Sequence, residues 1–149
     1  AGGRAVPAEN LHVTLAFLGA TATERVDAVV AAASAVPPVR GVERFDRLAA
    51  WGRDGPLVLE PSVPGSALAA LRRDLHSRLF AAGFPLEARE FRPHITLARR
   101  ASRRPTVAAV PALDWPLDHQ GTAFVLVDSV TGPTGSRYAV SARFPVGPG

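Results

Sequence analysis

One short pattern occurs twice in the chain, and it constrains the fold more than any other feature. Leu11-His12-Val13-Thr14-Leu15-Ala16 is matched by Pro93-His94-Ile95-Thr96-Leu97-Ala98. From the histidine onward His, Thr, Leu and Ala are identical, and Val13 is exchanged for another β-branched residue, Ile95. Apolar residues alternate with polar or small ones in both copies, which is the period of a half-buried strand. The alternation predicts one strand from Asn10 to Leu18 and another from Arg92 to Arg99. Side chains at i and i+2 of a strand share a face, roughly 6.5–7 Å apart. Each copy therefore sets an imidazole beside a hydroxyl while its other face packs inward.

The rest of the chain mixes short strands with two helices. Thr21 to Ala35 reads as a helix, with Thr21 and Glu24 at capping-box spacing, an apolar stripe of Val26, Val29, Val30 and Ala33, and a stop at Pro37-Pro38. A strand is expected from Val42 to Leu48, a Gly/Pro loop from Trp51 to Pro56, and a short strand from Leu57 to Glu60. A second helix starts near Ser66, carries Leu68, Leu71, Leu75 and Leu79 on one face, and ends at Gly83. A weak helical segment near 106–110 follows an arginine-rich turn. Thr122 to Val130 and Arg137 to Val146 then flank a Gly/Pro/Ser-rich hairpin loop. No β-α-β rhythm is sustained, so the expected class is α+β with antiparallel pairing.

Composition removes several chemistries. At 149 residues with 47% apolar content, the chain is sized for one domain, or for two closely packed lobes. Cysteine is absent, which excludes disulfides and thiolate chemistry. All 17 basic residues are arginine, so there is no lysine for a Schiff base, a P-loop or a covalent nucleotide adduct. The net charge of +4 favours anionic partners without specifying nucleic acid. Arginine's planar fork suits phosphate, although a GC-rich genome would produce the same bias. No apolar run spans a bilayer. The expectation is a cytoplasmic monomer with no membrane partner.

Two imidazoles and two hydroxyls lining one surface fit an anionic phosphorus centre. Neutral imidazole accepts a proton from water, imidazolium gives one to a departing oxygen, and hydroxyls donate to non-bridging oxygens. A single His–Thr pair on a strand is ordinarily just a polar face. The repeat is harder to attribute to packing, which constrains Leu15 and Leu97 but not the histidines.

At these residues the chain resembles the two-histidine (2H) phosphoesterases, in the branch of bacterial and archaeal RNA 2′,3′-cyclic phosphodiesterases long labelled 2′-5′ RNA ligases. Residues 4–19 are similar to the first signature, and Phe91-Arg92-Pro93-His94-Ile95-Thr96-Leu97-Ala98-Arg99 to the second. Val125 to Ser129 and Gly135 to Tyr138 match the late strand, turn and Tyr pattern. The resemblance implies a bilobal fold of two antiparallel-rich sheets, helices outside, pseudo-twofold symmetry and a groove between the lobes. It also implies metal-independent hydrolysis of RNA 2′,3′-cyclic phosphate ends to 2′-phosphates, without a cofactor, and reversible 2′-5′ joining as a side activity. His12 would be the proton donor and His94 the acceptor, with Thr14, Thr96 and Arg99 on the phosphate. Relatives carry a strand and helix ahead of the first signature. Here the signature stands at the start of residues 1–149, so a two-lobed domain without that strand and helix is expected.

Further residues are candidates for holding RNA. Arg99, Arg100, Arg103 and Arg104 cluster after the second signature and would grip the backbone, unless they form an ordinary solvated turn. Phe17 and Phe124 could stack a base or serve as core. His76 and His119 lack the neighbours a metal site needs. Gly132 to Ser136 lies between strands, not ahead of a helix, so it reads as a hairpin loop and not a phosphate loop. Two other functions remain open: a 2H enzyme acting on a small cyclic nucleotide such as an ADP-ribose cyclic phosphate, and a non-catalytic RNA-binding module. Substrate profiling separates the first from RNA hydrolysis; a pair of intact histidines argues against the second.

Overall fold

The structure, a computed structural model, describes residues 4–86, 89–99, 117–119, 123–133 and 135–145. Its strands are β1 (Arg4–Ala5), β2 (Glu43–Phe45), β3 (Arg47–Ala50), β4 (Leu57–Glu60), β5 (Ile95–Arg99), β6 (Leu117–His119), β7 (Ala123–Gly132) and β8 (Gly135–Pro145). Its helices are α1 (Val26–Ser34) and α2 (Ala67–Ala81). All strand pairs among the described residues are antiparallel. The class is α+β, as the irregular alternation of elements predicts. No helix among the described residues is long and apolar enough to cross a membrane.

The chain divides into two compact units, each assembled from three separate stretches. The first comprises Ala1–Thr14, Glu43–Gly65 and Arg92–His119. Its main sheet has the order β1-β5-β4-β3, and β2 pairs with β6 in a second, two-stranded sheet. Every residue of β4 is buried, and the adjacent Val58 and Leu59 have no exposure at all. Adjacent residues of a strand point to opposite faces, so this sheet is covered on both sides there. Ile95 and Leu97 of β5 add to the same core, while Thr96 and Ala98 are only partly buried.

The second unit comprises Leu15–Val42, Ser66–Phe91 and Gln120–Gly149. Here α1 packs on α2 and on β8. Val29 and Ala33 of α1 meet Leu71, Leu75 and Leu79 of α2, with Val36, Phe84 and Phe144 completing the core. The stripe read from α2 therefore faces inward, although Leu68 is only partly buried. Gly83 follows the helix at φ +91°, in the left-handed region that glycine enters without a Cβ penalty. The last two strands form the expected hairpin, closed between Gly132 and Gly135.

Several local expectations need correction. Residues 11–18 join no strand ladder; the hydrogen-bonded strand of that region is the two-residue β1, which pairs with β5. Pro7 and a 3-10 turn at Ala8–Asn10 separate the two, because proline brings no N–H to extend the ladder. The alternation still appears as exposure, with His12 and Thr14 outward and Leu11 and Val13 half-buried. The Thr21–Glu24 capping box does not form. Thr21 donates instead to the Gly19 carbonyl at 3.2 Å, and the helix opens with a 3-10 turn at Thr23–Arg25. The expected strand from Val42 to Leu48 is broken at Asp46, whose carboxylate accepts the Ser62 N–H and hydroxyl at 2.7 and 2.8 Å. The segment 106–110 lies outside the described residues.

Candidate active site

The second histidine sits one residue ahead of β5, outside the ladder. Pro93 has no N–H to offer a neighbouring strand, and the carbonyl of Arg92 is taken by the histidine itself. His94 Nδ1 lies 2.7 Å from the Arg92 oxygen. The first histidine repeats this arrangement away from any strand: His12 Nδ1 lies 2.6 Å from the carbonyl oxygen of Asn10, again two residues back.

That shared contact fixes the chemistry of both rings. A carbonyl oxygen only accepts, so Nδ1 must carry the proton in each imidazole. In the neutral ring Nε2 is then the nitrogen that keeps the lone pair. Both histidines belong to the first unit, and neither is buried. Thr14 is exposed two residues after His12, and Thr96 is half-buried two residues after His94. The two copies thus share an imidazole anchored to a main-chain carbonyl and a threonine two residues further on.

Around His94 the structure adds residues that the motif does not contain. The Trp51 and His94 rings are 4.3 Å apart between centroids, tilted by 53°. On the same indole lies the guanidinium of Arg92, 4.2 Å from its centroid. Arg92 in turn donates to Glu60, from Nε at 3.1 Å and from Nη2 at 3.3 Å. Arg47 donates to Glu60 as well, at 3.1 and 3.3 Å. Glu60 is 3% exposed. Burial alone would push its carboxyl up, but the hydrogen bonds and charges of Arg92 and Arg47 outweigh it and hold the group below the usual glutamate value.

Sequence reasoning passed over Trp51 and Glu60 and used Arg92 only as part of a signature. A signal for Glu60 was present: a lone carboxylate ending the otherwise apolar run Leu57-Val58-Leu59. A charge at the end of a buried strand calls for a cation nearby.

Arg99 is exposed at the end of β5 and shares its parity with Ile95 and Leu97. Its strand parity is opposite to that of Thr96. Phe124 stacks on Phe144 at 5.0 Å against the core of the second unit, which is the packing alternative. Phe17 is 84% exposed and keeps a free aromatic face. His76 is half-buried, with Nε2 2.9 Å from the Leu15 carbonyl. His119 pairs opposite Glu43 in the β2–β6 ladder. Arg100, Arg103 and Arg104 lie outside the described residues.

Comparison with known proteins agrees with the fold. The 2′-5′ RNA ligase superfamily pattern matches residues 1–132. The chain is 32% identical over 142 residues to the RNA 2′,3′-cyclic phosphodiesterase of Escherichia coli (strain K12), covering 95% of this chain and 79% of that protein. The crystal structure of E. coli LigT complexed with 3′-AMP superimposes with a TM-score of 0.82 at 32% identity, covering 97% of this chain and 82% of that one. TT0787 of Thermus thermophilus superimposes with a TM-score of 0.78 at 26% identity, covering 97% and 82%. The architecture is that of a two-histidine phosphoesterase. The chain belongs to the 2′-5′ RNA ligase superfamily.

Proposed function

We propose that this chain hydrolyses the 2′,3′-cyclic phosphate at RNA ends to a 2′-phosphate, with His12 and His94 as its acid–base pair. The observation that carries the proposal is the matched anchoring of the two rings. Each Nδ1–H is committed to a main-chain carbonyl two residues back, so each Nε2 is the working nitrogen. The name of the E. coli relative and the 3′-AMP bound to LigT indicate the substrate class.

The reaction needs one base and one acid. His94 starts neutral, and its Nε2 lone pair takes a proton from water as the water oxygen bonds to phosphorus. His12 starts doubly protonated, and its Nε2–H goes to the 3′ oxygen as the P–O3′ bond breaks. The 2′ ester remains, and the two rings exchange protonation states over the cycle. Thr14 and Thr96 donate to the non-bridging oxygens, where negative charge builds up. The direction, with His12 as donor, is taken from the family. The same groups would serve 2′-5′ joining, in which a 5′-hydroxyl takes the place of water: it gives its proton to His94 as its oxygen bonds to phosphorus, and the P–O3′ bond breaks with the proton of His12, leaving a 2′-5′ diester. No step in this scheme calls for a metal.

His12→Ala and His94→Ala test the proposal on an oligonucleotide ending in a 2′,3′-cyclic phosphate. General acid–base groups contribute roughly 10²–10⁴-fold, so each variant should lose at least about 100-fold in kcat while keeping its circular dichroism spectrum. Near-normal turnover by either folded variant would defeat it. Nucleoside 2′,3′-cyclic phosphates and an ADP-ribose cyclic phosphate, run in parallel, separate RNA ends from small nucleotides.

A further inference from the structure

We infer that Trp51 is a positioning residue for His94, held in place by a relay from the buried Glu60 carboxylate through the Arg92 side chain to the indole. This rests on the reading of His94 as the proton acceptor. A single hydrogen bond from Nδ1 fixes one direction of an imidazole but leaves its plane able to swing about that bond. The Trp51 ring, 4.3 Å away, supplies the second constraint. Both constraints trace to Arg92, whose carbonyl accepts from the imidazole and whose guanidinium lies on the indole.

The indole is fixed from several sides. Its backbone N–H donates to the Pro56 carbonyl at 3.0 Å, closing the loop that carries it. Gly55 lies so close to the Trp51 carbonyl that a Cβ there would collide with it, so the loop admits no side chain at that point. The guanidinium over the ring is itself held by two hydrogen bonds to a carboxylate that is almost wholly buried. Water competes poorly for that end of the relay.

The indole nitrogen shows which property of the side chain is used. Trp51 Nε1 is buried with no hydrogen-bond partner among the described residues. An orphaned buried donor is unfavourable, so the position exploits the flat ring and not its N–H. A phenyl ring offers the same face without the orphan.

Trp51→Phe and Trp51→Leu form the decisive pair, because both keep apolar bulk and only one keeps a ring. Displacing a catalytic group by about 1 Å costs up to about 100-fold. The leucine variant should therefore lose roughly 10- to 100-fold in kcat on a cyclic-phosphate-ended oligonucleotide, with KM within about twofold of wild type, since a proton acceptor contributes little to ground-state binding. The phenylalanine variant should keep most of the wild-type kcat. Equal behaviour of the two, whether both active or both impaired, overturns the inference. Arg92→Met is a second handle that survives a failure of the leucine variant to fold, because Arg92 is more than half exposed and keeps its carbonyl. Its kcat should fall several-fold at constant KM; a rise in KM alone would make Arg92 a substrate contact and sink the relay. His94→Ala is the control. If it remains active, the underlying reading of the site has failed; if it is dead while Trp51→Leu keeps full kcat, only the relay has.

Discussion

Glu60 should be destabilising to remove, yet less so than the two arginines that surround it. The carboxylate is 3% exposed, whereas the Arg47 and Arg92 side chains are 53% and 59% exposed. In Glu60→Gln the groups left without their anion are two guanidiniums that water already reaches. The loss is then limited to the charge-assisted hydrogen bonds, whose 3.1–3.3 Å lengths are long for that class. With partners so open to screening, about 1–3 kcal/mol is a reasonable figure. The opposite edit, Arg47→Met with Arg92→Met, seals a carboxylate away from water with no cation beside it. Breaking a buried pair in that sense costs about 3–5 kcal/mol. Urea unfolding at neutral pH, followed by far-UV circular dichroism and by tryptophan fluorescence, ranks the variants. A glutamine variant that loses as much as the double-methionine variant would refute the reasoning, because the cost would then not follow from which charge is left buried.

Acid should expose the same interaction. The Glu60 carboxyl in the folded protein is held below its ordinary value by Arg92 and Arg47 despite its burial. A depressed folded-state value gives a contribution that is complete above the unfolded glutamate range and is lost as pH falls through the folded value. Stability measured from neutral pH downward should therefore drop in wild type and drop less steeply in Glu60→Gln; parallel curves would count against the linkage. In the second unit, Leu79 is 1% exposed at the centre of the helix-on-helix core. Leu79→Ala should cost about 2–5 kcal/mol in the same urea assay without changing kcat in the folded fraction. Hydrolysis of cyclic phosphate ends should persist after exhaustive dialysis against EDTA, and loss of activity restored by a divalent ion would overturn the metal-free scheme.

Much of this protein is written in local pattern. The three- and four-residue spacing of Leu68, Leu71, Leu75 and Leu79 and the glycine after them define α2, because a helix presents its i, i+3 and i+4 neighbours on one face whatever packs against it. The hairpin of β7 and β8 follows from its turn residues. The duplicated His-x-Thr pattern singles out the side chains proposed to act on the phosphate. Strand alternation alone also explains why Ile95 and Leu97 are buried while Thr96 is not.

What the pattern did not contain was any partner distant in the chain. Asn10 to Leu18 has the period of a strand but joins no ladder, since a ladder needs a neighbouring strand's hydrogen bonds and β5 takes β1 instead. The rings take their orientation from carbonyls two residues back, a choice that alternating hydrophobicity does not encode. Trp51, Glu60, Arg47 and Arg92 are separated by up to 45 residues from first to last (92 − 47) and meet only through the antiparallel order β5-β4-β3. The sequence alone names the chemical groups, because their identity is covalent. Which indole lies against which imidazole, and which carboxylate anchors the arginine between them, is a property of strand register, and register is decided only when the sheet has formed.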